Sequence, residues 1–204
     1  MTLELFMHDI IKSFVMLFII IDPFVAFAAF ISMTQGMSHV EKMKQSYTAV
    51  LVAFGMLAVF LFGGAFIMKI LGIGMNSFIV AGGLILIILG IQEVLGIKTK
   101  SDDKKADMIA IVIGTPLLCG PGTITTVIML SQEQGVLAPL IASVLVLLIT
   151  WILLIFSEKI SDVLGPTVIE VLSRLMGFLL VAMAAEFLKN GVEGMINDFK
   201  NSIK

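Results

Sequence analysis

Two hydrophobic segments of this 204-residue chain are each interrupted by proline in mid-span. The first contains Asp22-Pro23, and the second contains Gly120-Pro121-Gly122. Proline removes a helical N–H and frees a carbonyl, and inside a bilayer such groups are tolerated only where protein or a watery cavity surrounds them. One break in each half of a membrane chain is typical of a substrate site between broken helices.

The rest of the chain is apolar enough to lie in a membrane. Its residues are 59% hydrophobic and 14% charged, and the mean hydropathy is +1.11. Asp22 is the one fully charged residue between Lys12 and Glu41, and a spanning helix needs only about 20 apolar residues. The net charge of −2 provides no basic surface for nucleic acid, and the single Cys119 excludes an internal disulfide and a cysteine metal cluster.

Hydropathy predicts an all-α membrane protein with six transmembrane helices, of which helices 1 and 4 are broken. The polar stretch 98–107, a predicted cytoplasmic loop, separates an N-terminal three-helix repeat (1–97) from a C-terminal one (108–204). Asp22-Pro23 aligns with Gly120-Pro121, and each repeat has an odd number of helices, so the pattern predicts inverted repeats. The predicted helices cover about residues 10–35, 46–72, 76–97, 107–132, 137–157 and 169–190.

The lysines predict an orientation. Seven lie in or beside the loops that follow helices 1, 3 and 5, against five on the opposite side. The positive-inside rule places the 98–107 loop in the cytoplasm and both termini outside, in a plasma membrane that the chain crosses several times. The tail after about residue 190 is interpreted as an interfacial extension.

Asp22 is the first candidate for a binding role. A charge at the centre of a spanning helix costs at least about 2.5 kcal/mol, so such a residue is a functional hypothesis by default. We expect Asp22 to cap a half-helix that starts at Pro23. Its carboxylate suits a substrate ammonium, a sodium ion or a proton. The alternative is a helix cap without a ligand.

The second break offers complementary chemistry. Its glycines allow close approach to the backbone, and free N–H groups of the following half-helix attract an anion. Thr115-Pro116 frees carbonyls that suit a cation. Together the breaks predict a zwitterion site, and a proline kink without a ligand is the alternative. The candidate residues are Asp22, Pro23, Phe24, Thr115, Pro116, Gly120, Pro121, Gly122, Thr123 and Thr126.

Arg174 is the one arginine of the chain. It is interpreted either as a charge partner for the substrate or another acid, or as a membrane-surface anchor. Glu93 and Glu186 are interpreted as helix-end residues that reach the surface, with a proton relay as the less favoured role. The sequence contains no nucleotide loop, metal-ligand cluster or catalytic pairing, so it predicts neither an enzyme nor a cofactor.

Four motifs follow one another along the chain: Asp22-Pro23, Ala81-Gly82-Gly83, the Pro116…Gly122 break and Arg174-Leu175-Met176-Gly177. In combination they resemble the MarC family of six-helix membrane proteins, over about residues 14–191. The resemblance implies transport of small neutral amino acids, with glycine and alanine as the substrate type. Relatives often carry Arg before the glycine pair of helix 3, where this chain has Val80.

The sequence therefore predicts a secondary transporter of small neutral amino acids, coupled to a proton or sodium gradient. The predicted partners are a zwitterionic substrate and the lipid bilayer, and a homo-oligomer is compatible with the sequence. Two other classes stay open, namely a channel or passive ion pore and a membrane scaffold that transports nothing.

Overall fold

The computed structural model describes residues 3–97 and 118–202, and within these ranges the chain is helical apart from short connections. The helices are α1 (Leu3–Ile21), α2 (Pro23–Met33), α3 (His39–Leu71), α4 (Met75–Val94), α5 (Pro121–Gln134), α6 (Leu137–Ile155) and α7 (Ser157–Ser202).

Five segments of the described chain are long and apolar enough to cross a membrane. They are Leu3–Met33, His39–Leu71, Met75–Val94, Leu137–Ile155 and Thr167–Ser202. The sequence predicts another span over 107–132, of which the described residues include the 14-residue α5. A membrane protein built from several helices is therefore confirmed, while the count of six stays a prediction.

One helix starts earlier than the sequence predicts. α3 begins at His39 rather than near residue 46, because Ser38 and Glu41 form a capping box in which the Ser38 backbone N–H donates to Glu41 Oε2 at 2.8 Å. The helical segment α7 has a kink at Gly165, whose φ is 70°, and its apolar span Thr167–Ser202 begins close to the predicted residue 169. Glycine adopts this left-handed conformation without a steric penalty, so the bend interrupts the helix locally.

α7 continues as a helix past residue 190, where the sequence predicts its end, and this last part packs against α4. Asn76 Nδ2 donates to Asp198 Oδ2 at 2.8 Å. A Cβ at Gly191 would lie 3.0 Å from the Asn76 carbonyl oxygen and 3.1 Å from the Val80 nitrogen. Because only glycine permits so close an approach, the two helices stay packed through this final stretch.

Contacts between helices show which helix ends share a side of the bundle. Lys12 of α1 pairs with Glu133 of α5 at 2.9 Å, on the side that also holds the α3–α4 turn; we call this the first side. Lys42 of α3 pairs with Glu158 of α7 on the opposite, second side.

α2 and α5 each pack against helices of the other half of the chain. α2 contacts α6 and α7, and α5 contacts α3 and α4. α5 lies at the centre of the bundle, and its buried residues are Gly122, Thr123, Thr125, Thr126, Val127, Ile128, Met129 and Leu130.

Candidate functional site

The first break is one residue wide. Asp22 has φ 46° and ψ 77°, the only positive φ at a non-glycine residue in the described chain. Its N–H donates to the Phe18 carbonyl at 3.2 Å and completes α1, whereas Pro23 has no N–H to continue the ladder. Asp22 Oδ1 accepts from the Val25 N–H at 3.2 Å. The predicted cap at Asp22 and the helix start at Pro23 are therefore confirmed.

Asp22 combines two unfavourable features. A left-handed backbone costs roughly 1–2 kcal/mol for an L-residue, and a buried carboxylate costs more unless it is paired. The side chain is only 7% exposed, and its favourable partners among the described residues are backbone N–H groups of the first turn of α2. Strain and charge at one buried residue are typical of a functional position.

The second break lacks a side-chain cap in the described part of the chain. Gly120 precedes α5 in an extended conformation, with φ −74° and ψ 176°. Thr125 and Thr126 each donate to the carbonyl four residues earlier at 2.9 Å, and Thr123 donates to the Leu118 carbonyl at 3.3 Å. The hydroxyl protons are thus used within the break, while the N–H groups of the first helical turn have no intrahelical acceptors.

Gly122 brings the two breaks together. A Cβ at this position would lie 2.9 Å from Leu86 Cγ and 3.6 Å from Ile20 Cγ2. Ile20 belongs to the last turn of α1, two residues before Asp22. The start of α5 and the end of α1 are therefore neighbours, with Leu86 of α4 behind them.

Sequence reasoning missed the α4 wall behind α5. Thr125 packs over Gly82, where a Cβ would lie 2.7 Å from the Thr125 Cβ. Gly82, Leu86 and Glu93 lie on one face of α4, because residues four and seven positions apart share a helix face. This spacing is the sequence signal that could have grouped them.

Glu93 lies two turns from Leu86 toward the second side. A Cβ at Gly177 would lie 2.7 Å from the Glu93 Cβ, so the half-buried Glu93 packs between α4 and α7. Its interpretation as a simple surface-reaching residue is therefore incomplete. Glu186 does lie at an exposed position, where Lys189 donates to it at 3.4 Å.

The remaining candidates are placed unevenly. Pro23 is buried, and the half-buried Phe24 ring meets the Phe18 ring edge-on with centroids 6.2 Å apart. Thr115 and Pro116 lie outside the described residues, as does the 98–107 loop. Within 3–97 and 118–202, no group of three or more His, Cys, Asp or Glu side chains is arranged to hold a metal ion.

Residues 7–196 match the family described as MarC family integral membrane protein. The chain belongs to the MarC family. Its relatives in this family include a UPF0056 membrane protein of Buchnera aphidicola subsp. Schizaphis graminum, 32% identical over 92% of this chain and 93% of that protein. The UPF0056 membrane protein MJ1677 of Methanocaldococcus jannaschii is 31% identical over 91% and 97% of the two chains. The UPF0056 inner membrane protein MarC of Salmonella typhimurium is 30% identical over 95% and 100%. No solved structure matches the chain.

Two further motif positions of this MarC-family chain lie away from the breaks. Arg174 donates to Glu170 one turn earlier on α7, and both side chains are more than half exposed. Arg174 also lies beside Gly96, which follows Leu86 by ten residues or about 15 Å of helix length. Val80 packs against Gly191 of α7. The described structure therefore places Gly122 against Ile20, two residues before Asp22, and places Arg174 away from both.

Proposed function

We propose that this MarC-family protein is a secondary transporter of small neutral amino acids, of the glycine and alanine type. The observation that carries the proposal is the approach of Gly122 to Ile20, which makes the two helix breaks neighbours inside the bundle. Paired breaks of this kind hold substrate and coupling ions in many transporters. The proposed activity is non-enzymatic and needs no cofactor beyond the coupling ion.

The chemistry of the two breaks suits the two charges of an amino acid. The Asp22 carboxylate complements an ammonium group, and the first turn of α5, which no described side chain caps, complements a carboxylate. Gly122 adds no side chain of its own between the breaks, and Leu86 of α4 packs against it. We infer that Asp22 also takes part in coupling to a proton or to sodium, while Arg174 is a charge partner at the surface.

The reciprocal packing of α2 and α5 supports an inverted-repeat mechanism. Each half-helix packs against the second and third helices of the other half of the chain. In such a plan the two repeats rock about a fixed site and open it to each side in turn. The proposal includes a plasma-membrane location with both termini outside, and it is compatible with a homo-oligomer.

A thermal-shift measurement on the purified protein tests the substrate class. Glycine, alanine and larger amino acids are added with and without sodium, at two pH values. A ligand that binds only the folded state stabilises it by about 2.7 kcal/mol at a hundred times its dissociation constant. We expect alanine and glycine to raise the melting temperature. No shift with any amino acid, together with no uptake into proteoliposomes, would support a pore or a scaffold instead.

The Asp22→Asn variant tests the site. Asparagine caps helices and tolerates the left-handed region, so the fold is kept while the charge is removed. We expect alanine to bind at least about tenfold more weakly, equal to 1.4 kcal/mol. Asp162→Asn, at an exposed position of α7, is the matched control and should bind like the wild type. Unchanged binding by Asp22→Asn would refute the ammonium site.

A further inference from the structure

An apolar groove lies between α3, α4 and α5 and reaches the second break. Its cavity volume is about 550 Å³. Phe60 and Met68 of α3 line one wall, Phe78 and Ile85 of α4 line the other, and Ile124 of α5 lies at its base. The α5 end of the groove is formed by Gly120 and Pro121. We call this cavity the α3–α4 groove.

The length of the groove matches one leaflet of a bilayer. Its α3 wall runs from Phe60 to Leu71 at the first side, and the eleven helical steps between them span about 16 Å at 1.5 Å per residue. Half of a hydrocarbon core of about 30 Å is about 15 Å. The groove therefore extends from the depth of the second break to the first-side surface.

The mouth of the groove opens sideways, toward the space that lipid fills. Ile67, Leu71, Ile73 and Ile85 line it and are each at least 36% exposed. Among the described residues, no charged side chain lines the groove. Water needs several polar partners to occupy a cavity, so these apolar walls favour a hydrocarbon occupant.

The corresponding face of the first break is filled by protein. Phe27 and Phe30 of α2 are 2% and 0% exposed, and Pro23 is buried. On α5 the aligned residues Thr125 and Ile128 are also buried, at 3% and 2% exposure, whereas Pro121 is exposed. Among the described residues, the start of α5 therefore borders apolar volume that no side chain fills, and the lining would lose dispersion contacts if nothing occupied it.

We propose that the α3–α4 groove binds one acyl chain of a first-side phospholipid, with the chain end against Pro121. The acyl chain then covers the exposed Pro121 at the start of α5. This inference is independent of which substrate the protein carries.

Fluorescence quenching by bromine-labelled phospholipids tests the occupant. The chain has one tryptophan, so Phe60→Trp is made in a Trp151→Phe background. Phe62→Trp, at a 65% exposed position two residues away, reports lipid at nearly the same depth. We expect bromines near the chain end to quench both indoles. A Phe60→Trp indole that no brominated lipid quenches would overturn the proposal.

A groove-filling variant separates the groove from bulk lipid. Ala81 lines the groove and is exposed, so Ala81→Leu adds volume there without entering the core. Quenching at Phe60→Trp should fall at least about twofold, because it requires near-contact between bromine and indole, while Phe62→Trp stays unchanged. Equal quenching with and without Ala81→Leu would refute an acyl chain in the groove. Relief of quenching by an added amino acid would instead assign the groove to a substrate side chain.

Removal of lipid gives a second readout. Delipidation in detergent should lower the melting temperature of the wild type more than that of Ala81→Leu, because leucine replaces part of the lost hydrocarbon contact. An equal decrease in both proteins would show that lipid does not support α5 through this groove.

Discussion

The two breaks interrupt their helices by different means. At the first, Asp22 turns the chain in a left-handed conformation and caps α2 with its own side chain. At the second, Gly120 leads into α5 without a side-chain cap in the described structure, and Gly122 packs directly on Leu86. The conformation of the first break is therefore held by Asp22 itself, whereas the second break is held by side chains that pack around it.

This difference separates two tasks within one site. The Asp22 cap uses part of the carboxylate to hold α2, and two buried phenylalanines fix that half-helix in the bundle. No described side chain caps the N–H groups of the first turn of α5, and one face of this helix borders the α3–α4 groove. We infer that α2 is held at its start by its own cap, and that the first turn of α5 is the part of the site that ligands and lipid can influence.

Removing the cap at Asp22 should have the largest effect on stability. Asp22→Ala loses an N-cap worth about 0.5–2 kcal/mol and places alanine in a left-handed conformation that costs about 1–2 kcal/mol. Asp22→Asn removes the same charge but keeps the cap and tolerates the backbone. We expect Asp22→Ala to melt about 5–10 °C below Asp22→Asn, a difference of about 2–3 kcal/mol.

Asp22→Asn itself should be at least as stable as the wild type, because it removes a buried charge. A variant that keeps its stability and loses amino-acid binding would identify the charge as functional. Equal melting temperatures for Asp22→Ala and Asp22→Asn would show that the first break is held by its neighbours, as the second is, and the contrast would fail.

Adding one methyl group at the second break should have a smaller but clear effect. Gly122→Ala would overlap the Leu86 side chain, and overpacking of this kind costs about 1–2 kcal/mol where a flexible side-chain end can move. Gly63→Ala is the matched control, since a Cβ there meets nothing within 4 Å and should be neutral or slightly stabilising.

Leu86→Val in the Gly122→Ala background tests the cause. Shortening Leu86 makes room for the new methyl group, so the double variant should be more stable than the sum of the single effects predicts. Purely additive effects would mean that contact with Leu86 does not determine the cost of adding a side chain at position 122.

The sequence could predict what local chemistry determines. Pro23 and Pro121 stop a helical ladder wherever they occur, so both helix starts follow from the sequence. The family could also be recognised from short motifs. The left-handed conformation of Asp22 was not predicted, because a cap more often has an extended backbone. The meeting of Gly122 with Leu86 depends on how α5 is rotated in the bundle, which hydropathy does not encode.

The same limit explains the missed helix lengths and the groove. α7 continues past residue 190 because Gly191 meets Val80 on another helix, a contact that no local pattern of α7 contains. The groove depends on how α3, α4 and the start of α5 are placed relative to one another, which no local pattern of any one helix encodes. Local breaks were predictable, and the packing that distinguishes them was not.

The smallest effect on stability is expected at the second side. There Lys42, near the start of α3, forms an ion pair with Glu158 of α7. The hydrogen bond from Lys42 and then its charge hold the pKa of Glu158 below its ordinary value. A carboxyl group whose pKa is lower in the folded state than in the unfolded state stabilises the folded state at pH values above the unfolded pKa. This contribution is lost as the pH falls through the folded pKa. The wild type should therefore melt slightly above Glu158→Gln at pH 7, with the difference vanishing in acid.

Asp162→Asn, which removes an exposed carboxylate from the same helix, is the control variant. The pair is at the surface, where ion pairs contribute little, so its loss should disturb the bundle less than either break variant. The C-terminal end of α5 is held by a buried contact instead of a surface ion pair: the Ser13 hydroxyl donates to Gln134 at 2.7 Å. If Glu158→Gln lowered stability as much as Asp22→Ala does, the stability of the α2 region would depend on the surface ion pair with α7 rather than on the Asp22 cap.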